Sequence, residues 1–476
     1  MSQMNPDTNI VQKIWELCHI LRGDGVSYHQ YIAELTYLLF LKIAEKNNTE
    51  VLLPKGYRWV DLVNYNGNDL LTHYRDILTF LGGHAENQYV REIFAFPTTV
   101  FSHAENLKAV IEGINKLDWN LISSDMIGDV YEGLIAKNSQ DARSGAGQYF
   151  TPRALIDSIV HLTQPNLEEL IQDPSAGSGG FLISANNYVK ENFSKTQFEQ
   201  MPPKFQGIEI EKSTYRICLM NSFLHKLNLD LILGDALTED AEKLNAPDLI
   251  LANPPFGGRS GSARRQRCDL QFPTNNKQLA FLQHIYTALK PKGRAAVILP
   301  DNILFEEGIG RKIRQEILNC CDLHTILRLP TGIFYAQGVN TNVLFFTKGT
   351  TPKNNTKEIW FYDLRTGIPA FGRRNPLTRE FFLEFERWFG SDPYGQSSRE
   401  EQVAPSRCRK FTRDEIAERN DNLDIIWLQS EIQPADEMEE TDPTELAGMI
   451  LQLLKNSIEQ IEVISDQLIL NEGESQ

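Results

Sequence analysis

The apolar run Asp248–Ala252 stops abruptly at Asn253-Pro254-Pro255-Phe256: one carboxamide, two consecutive prolines and one aromatic ring. A short apolar run bounded by breakers reads as a buried strand. Neither proline can extend a ladder, so the backbone must leave the sheet at Asn253 with little freedom. The turn then offers an amide oxygen, a free proline carbonyl and a flat ring at a strand's carboxyl end, where open parallel sheets bind ligands. Two acceptors beside a stacking face suit a planar amine, which has two N–H groups to donate and a π-face to cover.

Three further stretches close candidate strands in the same way. Asp173-Pro174-Ser175-Ala176-Gly177-Ser178-Gly179-Gly180 follows the first and opens a helix. Its glycines let the backbone approach a ligand and aim a helix N-terminus at it. The loop lacks both GxGxxG spacing and the Lys-Ser/Thr pair of a phosphate-binding loop, which disfavours phosphate cradling. Glu209, in Gly207-Ile208-Glu209-Ile210, is placed to accept both hydroxyls of a ribose. Asp235, in Gly234-Asp235-Ala236-Leu237, is placed to accept an adenine amino group. A ribose acceptor, an adenine acceptor and no phosphate site describe a nucleoside-type cofactor such as S-adenosylmethionine.

These groups need a scaffold, and the hydrophobic pattern supplies one. From about 148 to 350, apolar runs at 170–173, 205–210, 229–233, 249–252, 295–299, 325–329 and 342–347 read as strands. Helical spacing fits at 180–193, 212–226, 277–290 and 305–319. Such alternation means βαβ units: an α/β fold with a doubly wound, mostly parallel sheet. Residues 342–347, close behind 325–329, are expected to pair antiparallel at an edge, and strand 358–364 and helix 377–389 to close the domain. Ahead of it, helical periodicity at 9–20, 29–46, 70–81, 104–118 and 124–137 predicts an all-helical N-terminal domain over residues 1–138. The small polar loop Asn138–Gly147 marks its boundary with the α/β domain, 139–390. Residues 391–440 read as an irregular linker with a short ordered piece near 411–424. The tail, 441–476, has heptad-spaced Ala447, Ile450, Leu454, Ile461, Ile464 and Leu468, and is expected to form a helix that docks on another subunit.

Bulk properties bound the function. The 476 residues are too many for one ordinary core. Forty-seven basic against 63 acidic residues leave a net charge of −16, an overall field that opposes self-sufficient DNA binding. The six cysteines form no CxxC pair and have no histidine spacing suited to zinc, so we expect reduced thiols and no metal. No secretion signal and no bilayer-spanning apolar run is evident, which predicts a cytoplasmic protein without a membrane partner.

Asn253-Pro254-Pro255-Phe256 resembles the catalytic motif of amino-methylating DNA methyltransferases, and the other stretches follow that family's motif order. Gln148-Tyr149-Phe150-Thr151-Pro152-Arg153, ahead of the glycine loop, resembles the cofactor-side motif of the gamma-ordered adenine-N6 group. Leu327–Pro330 and Val339–Phe346 sit where later motifs of that group fall, with Gly332–Phe334 between them near the target pocket. With its helical N-terminal domain the chain resembles the modification (M) subunit of a type I restriction–modification system.

The resemblance implies a Rossmann-like S-adenosylmethionine-dependent methyltransferase domain. It implies that Gln148, Tyr149, Phe150 and Thr151 close over the methionine part of the cofactor, that Asp173 lies near its amino group, and that Phe281 packs near its adenine. Ser175, Gly177, Ser178, Gly179, Glu209, Asp235 and Ala236 complete the expected cofactor site. Asn253, Pro254, Pro255 and Phe256 are expected to hold an adenine flipped out of double-stranded DNA, with Phe256 as the stacking face. Arg259, Arg264, Arg265 and Arg267, in the Gly/Ser-rich loop that follows, are expected to contact phosphates. No segment beyond Phe346 has room for a base-reading domain. The family implies that a specificity (S) subunit reads the sequence, in an M2S complex with a second M subunit that a restriction (R) subunit can join. Cytosine-N4 methylation uses the same amine chemistry and stays open, as does a catalytically silent scaffold, which the intact motif disfavours.

Overall fold

The structure is a computed structural model that describes residues 6–22, 25–47, 49–119, 126–140, 151–256, 267, 269–334, 340–368, 371, 375–401 and 406–428. The expected tail helix lies outside them. Nine strands are described: β1 (Leu170–Asp173), β2 (Lys204–Glu209), β3 (Leu229–Leu233), β4 (Leu249–Ala252), β5 (Arg294–Pro300), β6 (Cys321–Arg328), β7 (Thr341–Lys348), β8 (Glu358–Asp363) and β9 (Cys408–Thr412). Their order in the sheet is β3-β2-β1-β4-β5-β7-β6-β8-β9. The chain divides into two compact units, Met1–Phe150 with Ala176–Asn186 and Lys204–Gly234, and Thr151–Ser175 with Asn187–Pro203 and Asp235–Gln476.

In the first unit the helical periodicities resolve into Pro6–Glu16, Tyr28–Lys46, Gly67–His84, Ala104–Asn115 and Met126–Gln140, with the short helices Trp59–Val63 and Gln88–Ile93 among them. Tyr28–Lys46 is central, buried on every face from Tyr31 to Leu41. It begins at a capping box, where Ser27 Oγ accepts from Gln30 N and Gln30 Oε1 accepts from Ser27 N. The core around Leu35, Leu38, Tyr74, Leu107 and Leu134 continues into Ile217, Leu219 and Met220 of helix Lys212–Leu224, which joins β2 to the parallel β3. Inside it, the buried Glu34 carboxylate accepts from Tyr74 Oη at 2.5 Å, Thr99 Oγ1 at 2.9 Å and Val100 N at 2.9 Å. Arg216 lies over the Tyr37 ring and donates to the Ile93, Ala95 and Phe96 carbonyls.

In the second unit β1, β4 and β5 run parallel, so Asp173 and Ala252 end on one edge of the sheet. The strand order reverses between β1 and β4, the switch point at which doubly wound sheets open a crevice. Strand β7 is antiparallel to both β5 and β6. It is therefore interior, not the edge strand expected from its closeness to β6 in sequence. Thr341–Phe346 is buried throughout, as a continuous apolar run covered on both faces should be. The sheet goes on through β8, parallel to β6, to β9, antiparallel to β8.

The described part of 391–440 is more ordered than an irregular connection. Besides β9 it forms helix Arg413–Glu418, and Leu423 and Ile425 are core residues. Arg314, on helix Ile309–Cys320, donates to the Asp421 carbonyl, and Arg328 pairs with Asp424 at 3.1 Å.

Candidate active site

At the end of β4 the two prolines remove the N–H groups by which a turn is ordinarily tied down, and side chains replace them. Asn253 Nδ2 donates to Thr151 Oγ1 at 3.0 Å. Gln278 Nε2, from the first turn of helix Lys277–Ala288, donates to the Pro255 carbonyl at 3.1 Å. With its nitrogen engaged, the Asn253 carboxamide leaves Oδ1 buried and without a donor among the described residues. The Pro254 carbonyl likewise meets no described donor. Buried polar oxygens are nearly always hydrogen-bonded, so adjacent unused acceptors at a strand's carboxyl end mark a place built for donors from elsewhere. The Phe256 ring stands edge-to-face against Phe334, centroids 6.1 Å apart at 83°. Phe334 closes the Leu329–Phe334 segment, which Arg365 anchors by donating to the Leu329 carbonyl while paired with both oxygens of Asp301.

Glu209, at the carboxyl end of β2, is buried. Its Oε2 accepts from Gly177 N at 2.9 Å and its Oε1 from Glu211 N at 2.7 Å. Burial pushes its carboxyl up to about 7, against the lowering effect of those backbone donors. The glycine loop is fastened around it: Ala176 N donates to the Ile208 carbonyl, and Asn221 Nδ2 to the Ser178 carbonyl. Gly179 has φ +82°, and a Cβ there would stand 3.0 Å from Cys218 Sγ. The positive φ favours glycine at that position, and a Cβ would be tight against Cys218.

On the β1 edge, buried Asp173 closes an Asx-type turn, its Oδ1 accepting from Ser175 N at 2.9 Å. Asp235 is half-buried; its Oδ1 accepts from Leu237 N and its N–H donates to Asp240 Oδ2. Ala236 is buried beside it, and Phe281 is buried on the same helix as Gln278. Gln148, Tyr149, Phe150, Arg259, Arg264 and Arg265 lie outside the described residues.

Arg267 is already engaged. Its guanidinium forms a two-point pair with Asp269 at 2.8 and 2.5 Å and lies 2.7 Å from His284 Nδ1. At 14% side-chain exposure it fastens the returning chain, whose Arg267 N–H donates to the Leu237 carbonyl. A guanidinium so committed is not a free phosphate contact. Sequence reasoning missed this because arginines in a polar loop look alike until their partners are known. It also passed over Gln278; a lone amide near the start of an otherwise apolar helix was the available signal.

Comparison with known proteins bears on this arrangement. The N-6 DNA Methylase family matches residues 122–438, and the HsdM N-terminal domain family matches residues 10–114. The chain is 43% identical over 498 aligned positions to the type I restriction enzyme EcoKI methylase subunit of Escherichia coli (strain K12), covering 94% of each. It is similar to the crystal structure of the EcoKI M protein, with a TM-score of 0.56, 38% identity and coverage of 97% of this chain and 96% of that one. A second solved structure, described as "complex assembly and conformational transition of the type I R-M system", matches with a TM-score of 0.72 at 26% identity, covering 97% and 98%.

Proposed function

Because this chain belongs to the N-6 DNA methylases, as a methylase subunit of a type I restriction enzyme and hence an adenine-specific DNA methyltransferase, we propose that Asn253-Pro254-Pro255-Phe256 is its catalytic turn. The unused Asn253 Oδ1, held in place through Thr151, is the observation that carries this reading. The exocyclic amine of adenine is a poor nucleophile because its lone pair is delocalised into the ring. Asn253 Oδ1 and the Pro254 carbonyl accept its two N–H groups and favour a more tetrahedral nitrogen with an available lone pair. The same acceptors stabilise the positive charge that grows on that nitrogen, so positioning and electrostatics supply the rate. The base must first leave the duplex, and Phe256, braced by Phe334, provides its stacking face.

S-adenosylmethionine, when bound, supplies the activated methyl group. The chain's donor set suits it. Glu209 would offer its buried carboxylate to ribose hydroxyls, and Asp235 and Ala236 would serve the adenine. Asp173, Ser175, Gly177, Ser178 and Gly179 would let the backbone approach the cofactor, and Phe281 would pack near its adenine. Gln148, Tyr149, Phe150 and Thr151 are assigned to the methionine side; of these only Thr151 is among the described residues, and its bond to Asn253 would tie that side to the catalytic turn. Family membership and the N-6 match favour adenine over cytosine-N4, and an intact turn argues against a silent scaffold.

We further infer that the partners are double-stranded DNA, a specificity subunit, a second M subunit and a restriction subunit, assembled in the cytoplasm. The net charge of −16 supports delegated DNA reading, as does the likeness to a structure concerned with complex assembly of a type I system. Among the described residues no helix is long and apolar enough to cross a membrane. Transfer of tritiated methyl to unmethylated DNA, with and without the specificity subunit, followed by nucleoside separation, tests the proposal. Label in N6-methyladenine only when both subunits are present is expected; label in cytosine, or tight specific binding by the isolated chain, overturns it.

A further inference from the structure

We propose that Gln278 is a positioning residue for methyl transfer, fixing the Pro255 carbonyl so that Asn253 Oδ1 and the Pro254 carbonyl stay presented as a pair. The inference rests on the catalytic reading of the turn. Neither Pro254 nor Pro255 has an N–H, so the turn cannot be tied down through donors of its own prolines. Two side chains hold it instead, one at each end: Thr151 Oγ1 accepts from the Asn253 side-chain amide, and Gln278 donates to the Pro255 carbonyl.

Gln278 is suited to hold rather than to react. It is 3% exposed, in a helix whose neighbouring Leu279, Ala280 and Phe281 are also buried. The start of that helix is itself pinned: Asn276 Oδ1 accepts from Leu279 N at 3.2 Å, and Asn276 Nδ2 donates to Glu306 Oε2 at 2.8 Å. Glu306 lies in the turn after Asn302–Phe305, and the Ile303 and Glu306 carbonyls accept from buried Arg314. The donor that reaches Pro255 thus stands on a rigid base, and the carbonyl it takes is not the one chemistry needs. Without Gln278 the Pro255 carbonyl loses its donor and the turn from Asn253 to Phe256 is held at one end only, and small misplacements of reacting groups are costly.

The test compares wild type, Gln278→Leu and Gln278→Glu in the complex with the specificity subunit, by single-turnover transfer of tritiated methyl to unmethylated plasmid DNA. Gln278→Leu is expected to slow transfer roughly 10- to 100-fold, the range in which misplacement acts, with S-adenosylmethionine affinity by calorimetry within about twofold. Gln278→Glu places an acceptor against a carbonyl when ionised and a donor when protonated. Its rate, normalised to wild type, should therefore be lowest near pH 8 and recover toward pH 6, because burial raises a carboxyl's pKa. Rates are taken per folded molecule, so a role confined to folding would not produce that recovery. Wild-type rates in Gln278→Leu, or a loss of cofactor affinity equal to the loss of rate, overturns the proposal. Asn253→Ala run alongside separates the two readings: if it still methylates, the catalytic assignment fails whatever Gln278 does.

Discussion

Glu34 and Asn253 each bury a side-chain oxygen, and the protein treats the two in opposite ways. Around Glu34 every approach is filled, by Tyr74, Thr99 and the Val100 amide, with Arg216 nearby to favour the charge. Burial still raises its carboxyl, against the lowering effect of those partners. Around Asn253 only the nitrogen is satisfied, and the oxygen is left with nothing to accept among the described residues. A group whose task is to hold helices together completes its hydrogen bonds within the chain. Asn253, which we propose receives the substrate, keeps one bond unmade at the cost of an unpaired buried oxygen, about 1–3 kcal/mol.

The contrast breaks most visibly at Asn253. Asn253→Ala should lower methyl transfer by about 10³-fold or more, near 4 kcal/mol of transition-state stabilisation, with cofactor affinity nearly intact by calorimetry. Glu34→Ala should do the reverse. Leaving one buried donor and two part-buried ones unpaired should cost roughly 3 kcal/mol of stability, seen as a lower Tm, with the single-turnover rate per folded molecule unchanged at low temperature. Equal loss of rate in both variants would erase the distinction.

Glu209 sharpens it, since this carboxylate is both fastened by backbone amides and proposed to bind ribose. Glu209→Ala should weaken S-adenosylmethionine binding about 10- to 100-fold, the worth of hydrogen bonds to a charged acceptor. A folded-state pKa of about 7, raised from 4.5, means the folded chain holds this proton more tightly than the unfolded one. Its contribution to stability is therefore present below pH 4.5 and lost as pH rises through 7. Glu209→Gln should gain stability relative to wild type across that window. Cofactor binding favours the ionised form, so wild-type affinity should fall below about pH 7, by up to about tenfold per pH unit; a flat profile would remove Glu209 from the site. The smallest effect is expected at Arg267. Arg267→Ala should leave the salt dependence of DNA binding by the complex unchanged, because its donors are spent on Asp269 and His284. A slope reduced by about one would restore it as a phosphate contact.

Much of the scaffold was legible from pattern. β1, β3 and β4 fall on the expected residues because short apolar runs between breakers leave no other reading. β9 was hidden because an edge strand spelled Cys-Arg-Lys-Phe-Thr, with Arg409, Lys410 and Thr412 exposed, has the composition of a loop. The interior place of β7 was hidden because a strand's period says which face is buried, never which neighbours it takes.

The turn at residues 253–256 was readable as a chemical group from its types alone, since prolines impose an exit from the sheet and an amide and a ring have fixed repertoires. Family order in the sequence extended that to a methylase. What only the tertiary structure decided is which atoms of the turn are free. Thr151 lies 102 residues before Asn253 and Gln278 lies 23 after Pro255. Hydrogen bonds over such separations are set by packing, and they leave Asn253 Oδ1 and the Pro254 carbonyl as the acceptors while removing Pro255's.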